Sequence, residues 1–257
     1  MRNYKLMAGI KNERCMPATK MVRDRTGYVW VGLSNGMVFR YNKILDDFIL
    51  DIDIQKLSQS DGLQLHSIFF DSSNRLWLCT NRGLYIRDAQ GELHYITEYE
   101  EGFPSTVCEI TPELFYIGCR QGIFLAKYTD DLHFSIMETN SSTRQCGKVE
   151  VLFMQGQKLY IGTTSKGMFI YNRETGECSS LYPDIPYKPI RAIKPLTDSK
   201  LLAGTDGAGI YCIDSQTEQV TRSYIADIDN EHTDLNSNGV YTILIDEFKR
   251  IWVGTFT

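Results

Sequence analysis

Apolar and polar positions alternate in short runs along this chain, and the runs recur in a fixed order. An apolar stretch closes on Asp, as in Leu65 to Asp71 and Val240 to Asp246. A polar turn follows, then a second apolar run ending in a small residue, as in Trp30-Val31-Gly32 and Trp252-Val253-Gly254. A tight turn carrying Gly leads into a third run, such as Met37 to Tyr41, Gly83 to Ile86, Met168 to Tyr171 or Ile210 to Ile213. A further turn, of which Glu174-Thr175-Gly176-Glu177 is one, precedes a fourth and more polar stretch. Short runs rich in β-branched and aromatic residues, bounded by turn formers, predict strands. No window carries a helical period of useful length.

This four-strand unit repeats. Aligned on the small residue of the second run, the anchors fall at positions 32, 79, 118, 162, 204 and 254, separated by 47, 39, 44, 42 and 50 residues. A period of about 45 residues with four strands per unit is that of propeller blades. The expected fold is all-β: a single β-propeller domain over 1–257, with four-stranded antiparallel blades near 20–52, 65–97, 104–137, 147–181 and 188–224. A partial sixth blade covers 238–257, and Asn3 to Ile10 reads as an outer strand of a preceding blade. A propeller removes its sheet edges by closing. The chain therefore reads as a fragment of a seven-bladed ring, with six-bladed closure through the N-terminal strand as the alternative.

The repeated residues are explained by architecture. Gly in the second strand admits close approach of a neighbouring blade. Trp supplies a flat packing surface and an indole N–H that needs a partner. Asp and Asn in the first turn can bond their own backbone.

Composition removes several classes of function. The 27 basic residues are scattered through a chain of net charge −5, whereas nucleic-acid binding needs a concentrated cationic face. No apolar run approaches the roughly 18–20 residues of a membrane span, and the first residues lack the apolar core of a secretory signal. The seven cysteines (15, 79, 108, 119, 146, 178 and 212) form no C-x-x-C pair. They read as core filler, with room for one disulfide, and neither metal nor cofactor is expected. Histidine occurs only at 66, 94, 133 and 232, with no nucleophile at a suggestive spacing, so no catalytic residue is assigned. Paired carboxylates for glycan cleavage are spatial rather than sequential, which keeps a polysaccharide-active enzyme as one alternative and a protein-interaction scaffold as another.

The phrase Asp24-x-x-Gly27-Tyr28-Val29-Trp30-Val31-Gly32-Leu33 and its relative Asp246 to Thr255 resemble the regulator-propeller repeat of bacterial two-component systems. The run Thr233 to Val240, entering the sixth blade, strengthens the match, while the third to fifth blades lack the Trp and the full turn motif. The resemblance implies the periplasmic sensor region of a hybrid histidine kinase and response regulator. It also implies a parent chain with two propellers, an immunoglobulin-like module, one inner-membrane helix and cytoplasmic signalling domains, acting as a homodimer. Family members commonly sense oligosaccharides, so an oligosaccharide is the expected ligand.

Ligand contacts are expected in the loops of a rigid scaffold. The turns between second and third strands vary on a constant frame and offer Asn35, Arg82, Arg120, Gln121, Lys166 and Asp206. Tyr182, Tyr187 and Tyr224 lie near connections between blades, and Tyr187 is the aromatic candidate for stacking on a sugar ring. The acidic run Asp227 to Glu231 lacks the spacing of a Ca²⁺ loop.

Overall fold

The computed structural model describes residues 4, 6, 16–59, 61–97, 103–128, 133–138, 141–227 and 235–256. The first blade consists of β1 (Ala18–Arg23), β2 (Val29–Leu33), β3 (Met37–Asn42) and β4 (Asp47–Asp53), paired in chain order. The second holds β5 (Leu65–Phe70), β6 (Leu76–Thr80), β7 (Gly83–Arg87) and β8 (Leu93–Tyr95). The third holds β9 (Thr106–Thr111), β10 (Leu114–Cys119), β11 (Gly122–Tyr128) and β12 (Phe134–Glu138). Then come β13 (Val149–Gln155), β14 (Lys158–Thr163), β15 (Met168–Asn172) and β16 (Cys178–Ser180), followed by β17 (Ile190–Pro195), β18 (Lys200–Thr205), β19 (Gly209–Asp214) and β20 (Val220–Tyr224). A two-stranded sheet of β21 (Val240–Ile245) and β22 (Ile251–Thr255) completes the series. Five up-and-down four-stranded blades plus part of a sixth make this an all-β propeller.

The chain divides into two compact units, Met1–Ile117 with Leu125–Met137, and Gly118–Phe124 with Glu138–Thr257. In the first unit, Trp30, Val38 and Ile52 of one blade pack with Leu65, Ile68, Leu76 and Leu78 of the next in a single buried cluster. A short helix, α1 (Ile54–Ser58), joins those blades; Asp53 caps it by accepting the Lys56 N–H at 3.1 Å, and Ile54 is fully buried. Five residues are too few for a helical period to register in sequence. Most of the proposed N-terminal strand lies outside the described residues. Its two described members pack on the first blade: Tyr4 edge-on to Tyr41 and Phe48, and Leu6 against the cluster of Val31, Leu33, Met37 and Phe39.

In the second unit, Tyr160, Met168 and Ile170 bury against Ile190, Ile193, Leu201 and Ala203 of the following blade. Ala192, Leu202, Ile210 and Cys212 meet Val240 and Ile243 in the same way. The small residue of the second strand permits this contact. A Cβ on Gly162 would lie 2.7 Å from Ile190 Cβ, and one on Gly204 would lie 2.7 Å from Val240 Cγ1.

Candidate functional site

The first strands β5, β13, β17 and β21 each begin with a buried apolar residue and then break register by one position, as does β1 after the exposed Ala18. The shift falls between Ala18 and Lys20, Leu65 and Ser67, Val149 and Val151, Ile190 and Ala192, and Val240 and Thr242. The extra residue at each β-bulge is therefore Thr19, His66, Glu150, Arg191 or Tyr241. A bulge re-aims one side chain while its neighbours stay in the ladder.

In the second unit three of these side chains meet. Arg191 donates through Nη1 to Glu150 Oε1 at 2.9 Å and through Nη2 to Asp206 Oδ2 at 3.0 Å. Tyr241 Oη donates to the same Asp206 oxygen at 3.2 Å, and the guanidinium stands 5.4 Å from the Tyr241 ring centroid. Burial works against the Arg191 charge, but the bonds to Asp206 and Glu150 outweigh it and hold its pKa above the ordinary guanidinium value. The group presents two carboxylates, one fixed cation and an exposed phenol on one patch.

Asp206 is placed by the turn between β18 and β19. Thr205 Oγ1 donates to Gly209 O at 2.8 Å and accepts the Ala208 N–H at 2.9 Å. Thr163 makes the equivalent pair with Gly167 and Lys166, and Thr80 with Gly83 and Arg82. In the third blade Cys119 Sγ takes the same place, donating to Gly122 O and accepting the Gln121 N–H. One small polar side chain thus fixes each of these four turns and leaves the residues after it free to vary, whereas the first blade has Leu33 in that place.

The connection between β16 and β17 carries the aromatic candidates. Tyr182 and Tyr187 stack with ring centroids 4.2 Å apart and planes 27° from parallel, each 54% exposed. Two turns dock on this connection. Gly167, next to Lys166, packs so closely on it that a Cβ there would lie 2.9 Å from Pro186 O, and the Asp206 N–H bonds Pro189 O at 2.8 Å. Lys166, Tyr187 and Asp206 are thereby gathered on one rim of the second unit. Lys166 Nζ also donates to Gln145 O at 2.8 Å. Arg120 and Gln121 are exposed in the same unit. Asn35 and Arg82 belong to the first unit, where Asn35 Oδ1 accepts the Met37 N–H and Arg82 reaches Asp61 O at 3.4 Å. Of the acidic run from Asp227, only Asp227 lies within the described residues.

Among the described residues, Asp88, Glu92 and His94 could bring three ligand atoms within 4.8 Å of one another. They form a turn whose groups already serve each other: Asp88 accepts the Glu92 N–H at 2.8 Å and lies 2.8 Å from His94 Nε2.

Residues 234–257 match the family model of the two component regulator propeller. That match falls on the sixth blade. No curated protein matches the chain. Among solved structures, the chain is similar to the extracellular domain of the hybrid two component system BT3049 from B. thetaiotaomicron, at 16% identity and TM-score 0.62, covering 93% of this chain and 38% of that one. It is similar to the extracellular domain of BT4673 from the same organism, at 19% identity and TM-score 0.57, covering 99% and 38%. It is also similar to PorZ, a surface component of the type-IX secretion system of Porphyromonas gingivalis, at 12% identity and TM-score 0.67, covering 93% and 37%. The chain spans less than two-fifths of the length of these structures, and at such identities the likeness is one of fold.

Of the four residues of the patch around Arg191, only Tyr241 lies within the matched stretch. Sequence reasoning found Asp206 through its turn and missed Glu150, Arg191 and Tyr241. Their one available signal is a shared position, directly after the buried apolar residue that opens β13, β17 and β21.

Among the described residues no helix is long and apolar enough to cross a membrane.

Proposed function

We propose that this propeller is the ligand-sensing part of a hybrid two-component system, lying outside the inner membrane and detecting an oligosaccharide on behalf of a cytoplasmic histidine kinase. The regulator-propeller repeat at 234–257 and the similarity to extracellular domains of such systems support this reading. The observation that carries the ligand class is the patch formed by Glu150, Arg191, Asp206 and Tyr241. Two carboxylates accept sugar hydroxyls, and the guanidinium between them supplies donors. The stacked Tyr182 and Tyr187 offer a flat apolar face for a pyranose ring. Arg120, Gln121, Lys166 and Tyr187, in the same unit, would add contacts around this rim framework, while Asn35 and Arg82 are candidate contacts of the first unit by itself.

In the parent protein the domain would act beside a second propeller and an immunoglobulin-like module within a homodimer. A sugar can switch such a dimer only through its differential affinity for the two states. Titration calorimetry of the purified domain against a panel of neutral and acidic oligosaccharides tests the reading. The expected result is binding of at least one glycan without turnover, weakened by Arg191→Ala. Glycan cleavage would point to a polysaccharide-active enzyme instead. Silence across the panel with tight binding of a protein would point to a scaffold.

A further inference from the structure

Cys146 and Cys178 lie 32 residues apart in sequence and bring their sulfurs to 3.6 Å. Cys146 ends the 3₁₀ turn Ser141–Cys146 and is fully buried, while Cys178 opens β16 and is part-buried. Two further contacts hold the same two segments together. Ser142 Oγ donates to Gly176 O at 3.0 Å, and Gln145 Nε2 donates to Cys178 O at 2.8 Å. The backbones are thus already docked on both sides of the sulfurs. A disulfide bond is about 2.05 Å long, so pairing needs about 1.5 Å of sulfur travel.

We propose that Cys146 and Cys178 form a regulatory or structural disulfide that staples the 3₁₀ turn to the outer strand of the fourth blade, with an external disulfide as oxidant. Nothing in this proposal depends on the ligand. The two thiols play distinct parts. The contact with Cys146 lowers the pKa of the part-exposed Cys178, while that same contact and burial raise that of Cys146. The part-exposed Cys178 thiolate attacks one sulfur of the external disulfide, breaking its S–S bond, releasing one thiolate and leaving a mixed disulfide. Cys146 then loses its proton and attacks the Cys178 sulfur, expelling the second thiolate. Two electrons leave the protein pair, and the external disulfide is reduced to two thiols. Of the other described cysteines, Cys79, Cys119 and Cys212 are buried in their own strands and Cys108 is part-buried in β9.

The bond would tighten a segment that bears on the rim. Gln145, next to Cys146, is the residue whose carbonyl holds Lys166 Nζ. Fixing Cys146 to β16 fixes that carbonyl too.

The test uses the full chain, equilibrated with oxidised glutathione, alkylated and digested with trypsin without reduction. The expected product joins the peptides 145–148 and 174–191, weighing about 2 Da less than their sum because two hydrogens are lost. The oxidised protein should melt roughly 5–15 °C above the same sample treated with phosphine, and Cys178→Ser should abolish that difference. The comparison within wild type needs no variant, so a poorly folding mutant cannot obscure it. Full alkylation of both cysteines after oxidation, or glutathione adducts and intermolecular cross-links alone, would overturn the proposal. So would a cross-linked protein whose melting temperature is unchanged by reduction.

Discussion

Trp77 donates its indole N–H to Asp71 Oδ2 at 2.8 Å, and both side chains are fully buried. The other carboxylate oxygen accepts the backbone N–H groups of Ser73 and Arg75, closing the turn between β5 and β6. Arg75 Nε adds an ion pair to Oδ2 at 2.6 Å. The same bond joins Asp24 to Trp30 at 2.8 Å and Asp246 to Trp252 at 2.9 Å. Blades three to five lack the Trp and this turn Asp together. A buried indole N–H without an acceptor would cost on the order of 1–3 kcal/mol, so neither residue is useful alone.

Loss of the acceptor should therefore scale with burial. Asp71→Ala strands the indole, the Arg75 charge and two backbone donors, and should cost about 3–5 kcal/mol. Asp246→Ala should cost much less, because Trp252 is 56% exposed. Denaturant unfolding of the two variants measures both; equal losses would contradict the account.

Gly162→Ala should destabilise by about 1–3 kcal/mol. Its new Cβ would meet Val151 Cγ1 at 2.5 Å and Ile190 Cβ at 2.7 Å, within the packing between two blades. Gly254→Ala should be milder, since its close neighbour is Cγ2 of Thr242, an exposed side chain able to rotate. Thermal unfolding of the pair checks the order.

Arg191→Ala should weaken glycan binding about 10- to 100-fold, the worth of one charge-assisted hydrogen-bonding group. Arg191→Lys should recover only part, because an ammonium cannot bridge Glu150 and Asp206 in the planar manner seen here. Calorimetry with circular dichroism as a folding control separates lost binding from lost fold.

Acid should destabilise the protein below about pH 4. For Asp24, burial pushes the pKa up, but the bonds from Trp30, Thr26 and Tyr28 outweigh it and leave it below 3.8. For Asp246 the Trp252 indole is the leading cause of the same downward shift. A carboxylate depressed in the folded state contributes its stability above the unfolded value and loses it as pH falls through the folded one. Melting temperatures from pH 7 to pH 2.5 should drop over this window, and Asp24→Asn should flatten the drop.

The strand order, the blade repeat and its period were legible in the sequence because they arise from local rules: alternation, turn chemistry and a small residue wherever blades approach. Asp206 and Lys166 were legible for the same reason, as variable positions on a turn fixed by Thr205 or Thr163. The partner of each Trp was harder to read. Asp24 and Trp30 were each recognisable, yet their bond exists only once a hairpin folds one onto the other. Glu150, Arg191 and Tyr241 were illegible, successive members being 41 and 50 residues apart in sequence. What made them neighbours is a one-residue bulge in each first strand and the stacking of consecutive blades. Local periodicity determined the propeller; which charges share its rim, and which two sulfurs face each other, was decided by contacts between segments that no local pattern encodes.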